Sequence, residues 1–373
     1  MLENTPNKVK IVYLKSISIF TAFGRDRNGD FSIWCFFRYC FFNIGLRLYC
    51  KYFIYALEIL FNTEFKLLKN LFNRNLDKLN IKIFPLQFNT EPDVSKLIFR
   101  KEAKPKVSII IAVYNNLPYT YNCLRALSEH IGEEYTYEVI VINDNSQDKT
   151  VSVLSQVGNL IIISNTENKG FVLSCNIGAS LAKGEYLCFL NNDTIVQKGW
   201  LEALVTLLDN DKTVGITGSK LVFGDGDLQE AGGIVWQDGE TTHYGRRGDS
   251  KNKKYNFARE VDYCSGASLM ISKQDFDLLN GFDERFVPGY FEDTDLCLSM
   301  KYKLHKKVIY QPLSVAVHFE GVTSGTSILA GMKQYQQINA VKFRDKWKEE
   351  LKKQLPHSYM NTKDTIFKYE KSI

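Results

Sequence analysis

The chain has no C-x-x-C pair among its eight cysteines. Several of them, such as Cys123, Cys175 and Cys188, sit inside apolar runs, where a free thiol behaves as a small hydrophobe; a reducing, cytoplasmic setting is expected. No run of about 18 uncharged apolar residues survives anywhere, which argues against a simple transmembrane span. A secretory signal is also lacking: Lys8, Lys10 and Lys15 precede a short apolar stretch, Ser16 to Phe23, which ends in Arg25, Asp26 and Arg27 without a small-residue cleavage site. There is no internal repeat and no low-complexity segment. A glycine-rich phosphate loop is missing after the first apolar run, where Tyr114-Asn-Asn-Leu-Pro118 stands instead, and this counts against an α/β nucleotidyltransferase.

The 373 residues that are present are 45% hydrophobic and 24% charged, ordinary for a globular protein with a sizeable core. The net charge of +5 is unevenly spread: residues 1–104 hold 17 Lys/Arg against 9 Asp/Glu, so the remainder is slightly acidic. A main domain of that sign is not built to track phosphates, and no nucleic-acid partner is expected. Residues 1–84 read as a basic, aromatic-rich helical region. Trp34, Phe36, Phe37, Phe41, Phe42 and Leu46, with Arg38, Arg47 and Lys51 among them, suit interfacial helices against the inner face of a cytoplasmic membrane. The same stripe suits a helical hairpin packed on protein or on a second copy, and both readings stay open.

Residues 85–105, with Pro85, Pro92 and Pro105 and no sustained period, read as a linker. Val107 to Val113 is a continuous β-branched run, the pattern of a strand buried on both faces. A helix is expected from Tyr119 to His130, a strand over 137–142, a strand over 159–164 and a helix over 171–182. The next strand, Tyr186 to Leu190, breaks at Asn191-Asn-Asp193, and a helix follows near Trp200 to Leu208. Alternating β and α at this spacing calls for a mostly parallel sheet with helices on both faces. Beyond the strand at 213–223, glycine pairs and Asp-Gly turns predict an irregular, partly antiparallel half. It includes a buried or bulged strand over 261–271, a helix from Thr294 to about His305 and a final strand from Lys307 to Pro312, followed by Val315–Phe319. One long basic helix over 327–353 and a frayed tail complete the chain.

Three acidic points end strands or begin helices: Asp144, Asp193 and the pair Glu292-Asp293. Any one of them alone suits a structural cap. Together on one face of a parallel sheet, where ligands of such sheets bind, they suit a metal–phosphate site with a base.

The series Val107 to Asn115, Val141-Ile-Asn-Asp-Asn-Ser-Gln-Asp148, Asn168-Lys-Gly-Phe171, Leu190-Asn-Asn-Asp-Thr194, Gly281-Phe-Asp-Glu284 and Phe291-Glu-Asp-Thr-Asp-Leu296 resembles the family 2 glycosyltransferases. It is similar in particular to their rhamnosyltransferase-like branch, which builds bacterial surface polysaccharides. The resemblance covers about residues 105–325 and implies a GT-A fold: a mostly parallel Rossmann-like sheet flanked by helices, with an irregular antiparallel C-terminal half. The domain is set at 106–326, with 327–373 as a C-terminal helix and tail.

The resemblance further implies a nucleotide-diphosphate sugar donor, a glycan or lipid-linked acceptor and inversion at the anomeric carbon. Asp144 would meet the nucleoside, with Val113, Tyr114 and Asn115 lining its pocket and Asn168, Lys169, Gly170 and Asn192 near the donor. Asp193 would bind Mg²⁺ or Mn²⁺, hard cations suited to carboxylate and diphosphate oxygens, and His318 would complete the metal shell or else be a structural histidine. Asp293 would be the general base, with Glu292 beside it. The family's metal motif often reads Asp-x-Asp; here the first position is Asn191. Trp236, Asp238, Tyr244, Arg246 and Asp262 are candidates for the sugar or acceptor side, and Arg246 with Arg247 either closes over the diphosphate or forms a solvated charge run. The competing function is a non-catalytic nucleotide-sugar-binding scaffold subunit at a membrane, for which a positioned base has no use.

Overall fold

The computed structural model describes residues 92–321, 332 and 334–359, all of which fall in one unit, Arg74–Ile373. The expectations for residues 1–84, for Cys35, Cys40 and Cys50 and for the last residues of the tail lie outside the described part. Among the described residues no helix is long and apolar enough to cross a membrane.

The first half alternates as its apolar runs require: β1 (Val107–Val113), α1 (Leu117–His130), β2 (Tyr137–Asn143), α2 (Thr150–Leu154), β3 (Ile161–Ser164), α3 (Gly170–Leu181) and β4 (Tyr186–Leu190). β1 pairs in parallel with β2 and β4, and β2 with β3. The β-branched side chains of β1 and β2 are buried almost throughout, because helices cover the sheet on both faces. Gly178 lets α3 approach β1: a Cβ there would lie 2.5 Å from Ile110 Cγ2.

The second half continues through β5 (Thr194–Val196), α4 (Trp200–Asn210), β6 (Val214–Val222), β7 (Leu228–Glu230), β8 (Gly233–Val235), β9 (Thr241–His243), β10 (Arg259–Glu260), β11 (Ser268–Ser272), α5 (Lys273–Leu278), α6 (Glu292–Lys303) and β12 (Lys307–His318). The main sheet runs β10-β12-β6-β11-β4-β1-β2-β3. β11 enters antiparallel between β4 and β6, so the chain just before it lies beside the carboxyl end of β4, where Asn191 N–H donates to the Ala267 carbonyl at 3.0 Å. Phe189, Phe276 and Phe282 pack with ring centroids 4.7–5.4 Å apart and anchor β4 to the elements that follow β11.

Three expectations need correction. The segment read as a linker is partly core: Val94, Leu97 and Phe99 are buried, and Phe99 N–H and the Leu97 carbonyl bond to Gly158 at 2.9 and 3.1 Å. Its prolines hid an i, i+3, i+5 apolar pattern that a partner strand end could use. The strand expected over 261–271 forms only from Ser268, because the residues before it turn toward acidic side chains described below. The long C-terminal helix is two pieces, α7 (Gln334–Lys346) and α8 (Lys348–Leu351), which break at Trp347. Phe343, Trp347 and Leu351 recur at four-residue spacing and are all buried, so one face still lies on the core.

Candidate functional site

A cavity of about 740 Å³ opens where β1, β2 and β4 end, and it is walled on the far side by the start of α6 and the end of β12. Asp144, Asp193, Glu292, Asp293 and His318 all line it. The carboxyl ends of parallel strands are where such sheets take ligands, since the chain must leave the sheet there and exposes polar loops.

Asp193 is 5% exposed and stands between the end of β4 at Leu190 and the start of β5 at Thr194. The pairing of β5 with β12 sets Thr194 opposite His318, and Phe319 N–H donates to the Asp193 carbonyl at 2.9 Å. The register thereby brings the two side chains together, with His318 Nε2 3.2 Å from Asp193 Oδ1. On its other side, His318 Nδ1 is 3.2 Å from Gln229 Oε1, and an amide oxygen can only accept, so Nδ1 carries a proton. In the neutral ring Nε2 then presents a lone pair toward a carboxylate oxygen, an opposition that a cation between them or a second ring proton relieves. Burial by itself would depress the imidazole, but the Asp193 carboxylate more than offsets it and its pKa is raised. A carboxylate oxygen fits Mg²⁺ or Mn²⁺, and the imidazole favours Mn²⁺ of the two. Among the described residues no third His, Cys, Asp or Glu joins them, so the protein offers two such donors; Asn191 Nδ2, 3.3 Å from His318 Nε2, supports the ring and takes the place of a carboxylate.

Asp293 stands in the first turn of α6. Its Oδ2 accepts from Gly266 N–H at 2.9 Å, and its Oδ1 from the Thr294 N–H at 2.6 Å and hydroxyl at 3.1 Å. Burial pushes its carboxyl above the ordinary aspartate range, opposed by those bonds and helped by the nearby Glu230 charge. Glu292 is pushed well above the carboxylate range by burial and then by the Asp293 charge, and its buried Oε2 has no hydrogen-bond partner among the described residues. Two carboxyls of raised affinity for protons, one with an orphaned oxygen, form a site poised for proton transfer.

Asp144 has a different setting. Its oxygens accept from Asn165 Nδ2, Lys169 N–H and Gly170 N–H, each at 2.8 Å, so it ties the end of β2 to the start of α3 while still lining the cavity. Gly170 adopts φ +82°, and a Cβ there would fall 2.4 Å from Pro288 Cβ and 2.7 Å from its Cα. Gly170→Ala is therefore expected to lower stability by about 1–3 kcal/mol through forced repacking and to displace the turn leading to Glu292; a melting curve with a denaturant titration checks it.

Of the other residues singled out from sequence, Val113, Tyr114, Asn168 and Asn192 line the cavity, and Asn192 is fixed by donating to Thr120 Oγ1 at 2.9 Å. Asn115 and Lys169 do not line it; Asn115 instead braces the loop after β2 by accepting from Gln147 N–H at 2.7 Å. The candidates from the irregular half are not among the residues that line the cavity, although Arg246 binds Glu320, which does. Trp236 is fully buried, stacks on His357 and donates to Thr242 Oγ1. Asp238 sits 3.2 Å from His357 Nδ1, and Tyr244 packs on Tyr255 and Arg259. Asp262 is buried, accepting from Val235 N–H and pairing with Lys301. Arg246 is bound to Glu320 at 2.7 Å, and Arg247 to Asp225 while lying over Phe223. These side chains hold the second half together, which accounts for their types without a ligand.

Sequence reading missed a group that the fold brings to the cavity. β7 sends Gln229 to His318 and the buried Glu230 to His243 Nδ1, and His243 lines the cavity with Tyr263 and Ser265. Consecutive amides then join the acids: Ser265 N–H donates to Glu230 Oε1 at 3.0 Å and Gly266 N–H to Asp293. This is why the expected strand gives way before Ser268. The only sequence signal was Gly266 itself, within a run otherwise suited to a strand.

Comparison with known proteins agrees with this geometry. Residues 108–277 match the family model described as Glycosyl transferase family 2. An uncharacterized glycosyltransferase of Haemophilus influenzae is 37% identical over 122 residues, 31% of this chain and 37% of that protein. The O-antigen biosynthesis protein RfbC of Myxococcus xanthus is 31% identical over 194 residues, 49% of this chain and 15% of that protein. The chain thus spans well under two thirds of either relative. A crystal structure of GalNAc-T7 with UDP, GalNAc and Mn²⁺ superposes with a TM-score of 0.53 at 17% identity, over 68% of this chain and 50% of that one, a likeness of fold. Residues 108–277 are thus similar to glycosyltransferase family 2, and the mixed sheet with its strand-end cavity has a GT-A-like fold.

Proposed function

We propose that the protein is an inverting glycosyltransferase that moves a sugar from a nucleotide-diphosphate sugar to a hydroxyl of a glycan or lipid-linked acceptor. The observation that carries this is the convergence of Asp144, Asp193 and Asp293, from three distant parts of the chain, on one cavity. The nucleoside lies against Val113, Tyr114 and Asp144 at the ends of β1 and β2. Asp193 and His318 would hold a divalent cation, which would supply neutralisation of the charge on the departing diphosphate. Asp293 removes the acceptor hydroxyl's proton as that oxygen forms its bond to the anomeric carbon; the bond to the diphosphate oxygen breaks, its electron pair leaves with the nucleoside diphosphate, and the configuration inverts. Glu292, favoured in its neutral form, keeps a second negative charge away from the base.

The names of relatives such as RfbC, and the motifs of the rhamnosyltransferase-like branch, support a place in surface polysaccharide synthesis. Residues 1–84 would give contact with a membrane surface or with a second copy. The test is incubation of the full chain with UDP-, GDP- and dTDP-sugars and Mn²⁺, following nucleoside diphosphate release in the presence of glycan acceptors. Turnover of one donor class is the expected result; tight nucleotide binding with no turnover of any donor would favour the scaffold reading instead.

A further inference from the structure

The C-terminal helix α7 lies beyond the matched family segment, yet it grips the chain on both sides of Glu292-Asp293. Asn339 is fully buried, and its Nδ2 donates to the carbonyls of Phe286 and Gly289 at 2.8 Å and of Tyr290 at 3.2 Å. The Gly289 and Tyr290 carbonyls belong to the turn in which Tyr290 and Phe291, neither of them glycine, adopt φ values of +76° and +72°, and Phe286 ends the short helix before it. Side-chain-bearing residues hold that conformation in succession only where surrounding contacts over-determine it. Phe291 packs on Phe343, one helical turn along from Asn339, with ring centroids 5.0 Å apart. At the end of the same helix Lys346 Nζ lies 2.7 Å from Asp295 Oδ1, and just beyond it Trp347 Nε1 donates to the same oxygen at 2.8 Å. Met332 and Gln336, just before and within α7, also wall the cavity.

We infer that Asn339 is a positioning residue for Asp293: by tying down the strained Gly289–Phe291 turn, it sets where the carboxylate stands against the acceptor. The inference rests on the transferase reading of the site. α7 thereby couples the C-terminal end of the chain to the reacting centre without touching substrate through Asn339.

The test compares full-length Asn339→Asp, which keeps the shape but removes both donor hydrogens, with Trp347→Phe, a milder change at the other end of the grip. Measured for each are kcat and KM for the donor the wild type turns over, nucleotide affinity, melting temperature and amide hydrogen exchange over residues 286–295. Asn339→Asp is expected to lower kcat by about 100-fold, the cost of misplacing a reacting group by about 1 Å. Nucleotide affinity should stay unchanged, and faster exchange should be confined to the turn. Trp347→Phe should shift kcat and exchange in the same direction by less. Faster exchange with unchanged kcat would overturn the inference. So would parallel loss of kcat, nucleotide affinity and protection across β1–β4, together with a wild-type-like Trp347→Phe. If the wild type turns over no donor, the transferase reading fails; the exchange data then still decide whether Asn339 holds the turn, a local increase supporting it and none refuting it.

Discussion

Asp293→Asn is expected to lower kcat by about 10²–10⁴-fold, the range for losing a general base, with nucleotide affinity preserved. Asparagine matches the shape of aspartate and its oxygen can still accept from Thr294. Its amide hydrogens, however, then face the Gly266 N–H that Oδ2 now accepts from, so donor meets donor across 2.9 Å. A melting curve must therefore accompany the kinetics, and a modest loss of stability without loss of nucleotide binding is the signature of a base removed from an intact site. The wild type supplies a second check. A base works only when ionised, and burial raises the Asp293 carboxyl, so kcat/KM should fall as pH drops through a value above that of an ordinary aspartate. Asp293→Asn should lack that acidic limb in whatever activity it retains. Full activity in this variant would end the assignment of Asp293 as base.

Asp193→Asn is expected to weaken Mn²⁺ binding, with or without nucleotide, by more than the roughly 10–100-fold that loss of a residue supporting a metal ligand costs. Among the described residues one carboxylate and one imidazole face each other here, 3.2 Å apart, with the uncharged Asn191 amide beside the ring. Removing the carboxylate that faces His318 therefore removes the protein's hardest donor to the cation. Electron paramagnetic resonance of free Mn²⁺ during a titration reads this without any need for turnover. The companion variant His318→Gln should weaken binding less, because the carboxylate remains. If Asp193→Asn bound Mn²⁺ as the wild type does, the ion would lie elsewhere, and Asp193 would be a structural link between β4 and β12.

Much of the first half was legible before folding because its signals are local. A continuous β-branched run such as Val107–Val113 has few other stable uses than a strand buried on both faces, and the capping-type residues after Val141 and Leu190 end strands wherever they occur. The placement of the acids was legible for the same reason, as Asp144, Asp193 and Asp293 each sit near a strand end or at a helix start, whereas their roles were implied only by the family resemblance. The irregular half resisted reading. Trp236, Tyr244 and Asp262 have side chains that suit a sugar site and a polar-decorated core equally well, and only burial against His357, Tyr255 and Lys301 separates the two. Glu230 and His243 carry no periodic signal at all, lying on three-residue strands.

By itself, then, the sequence determined the alternation of β1 to β4 with their helices, the cavity at the strand ends and the acidic residues that line it, because these follow from apolar period and from where polar residues interrupt it. Tertiary structure alone decided which side chains meet. The antiparallel entry of β11 carries Gly266 to Asp293, the β5–β12 register sets His318 beside Asp193, and α7 reaches back to hold the turn before Glu292. Each depends on pairing between segments far apart in the chain, where a one-residue change of register would turn every side chain to the opposite face.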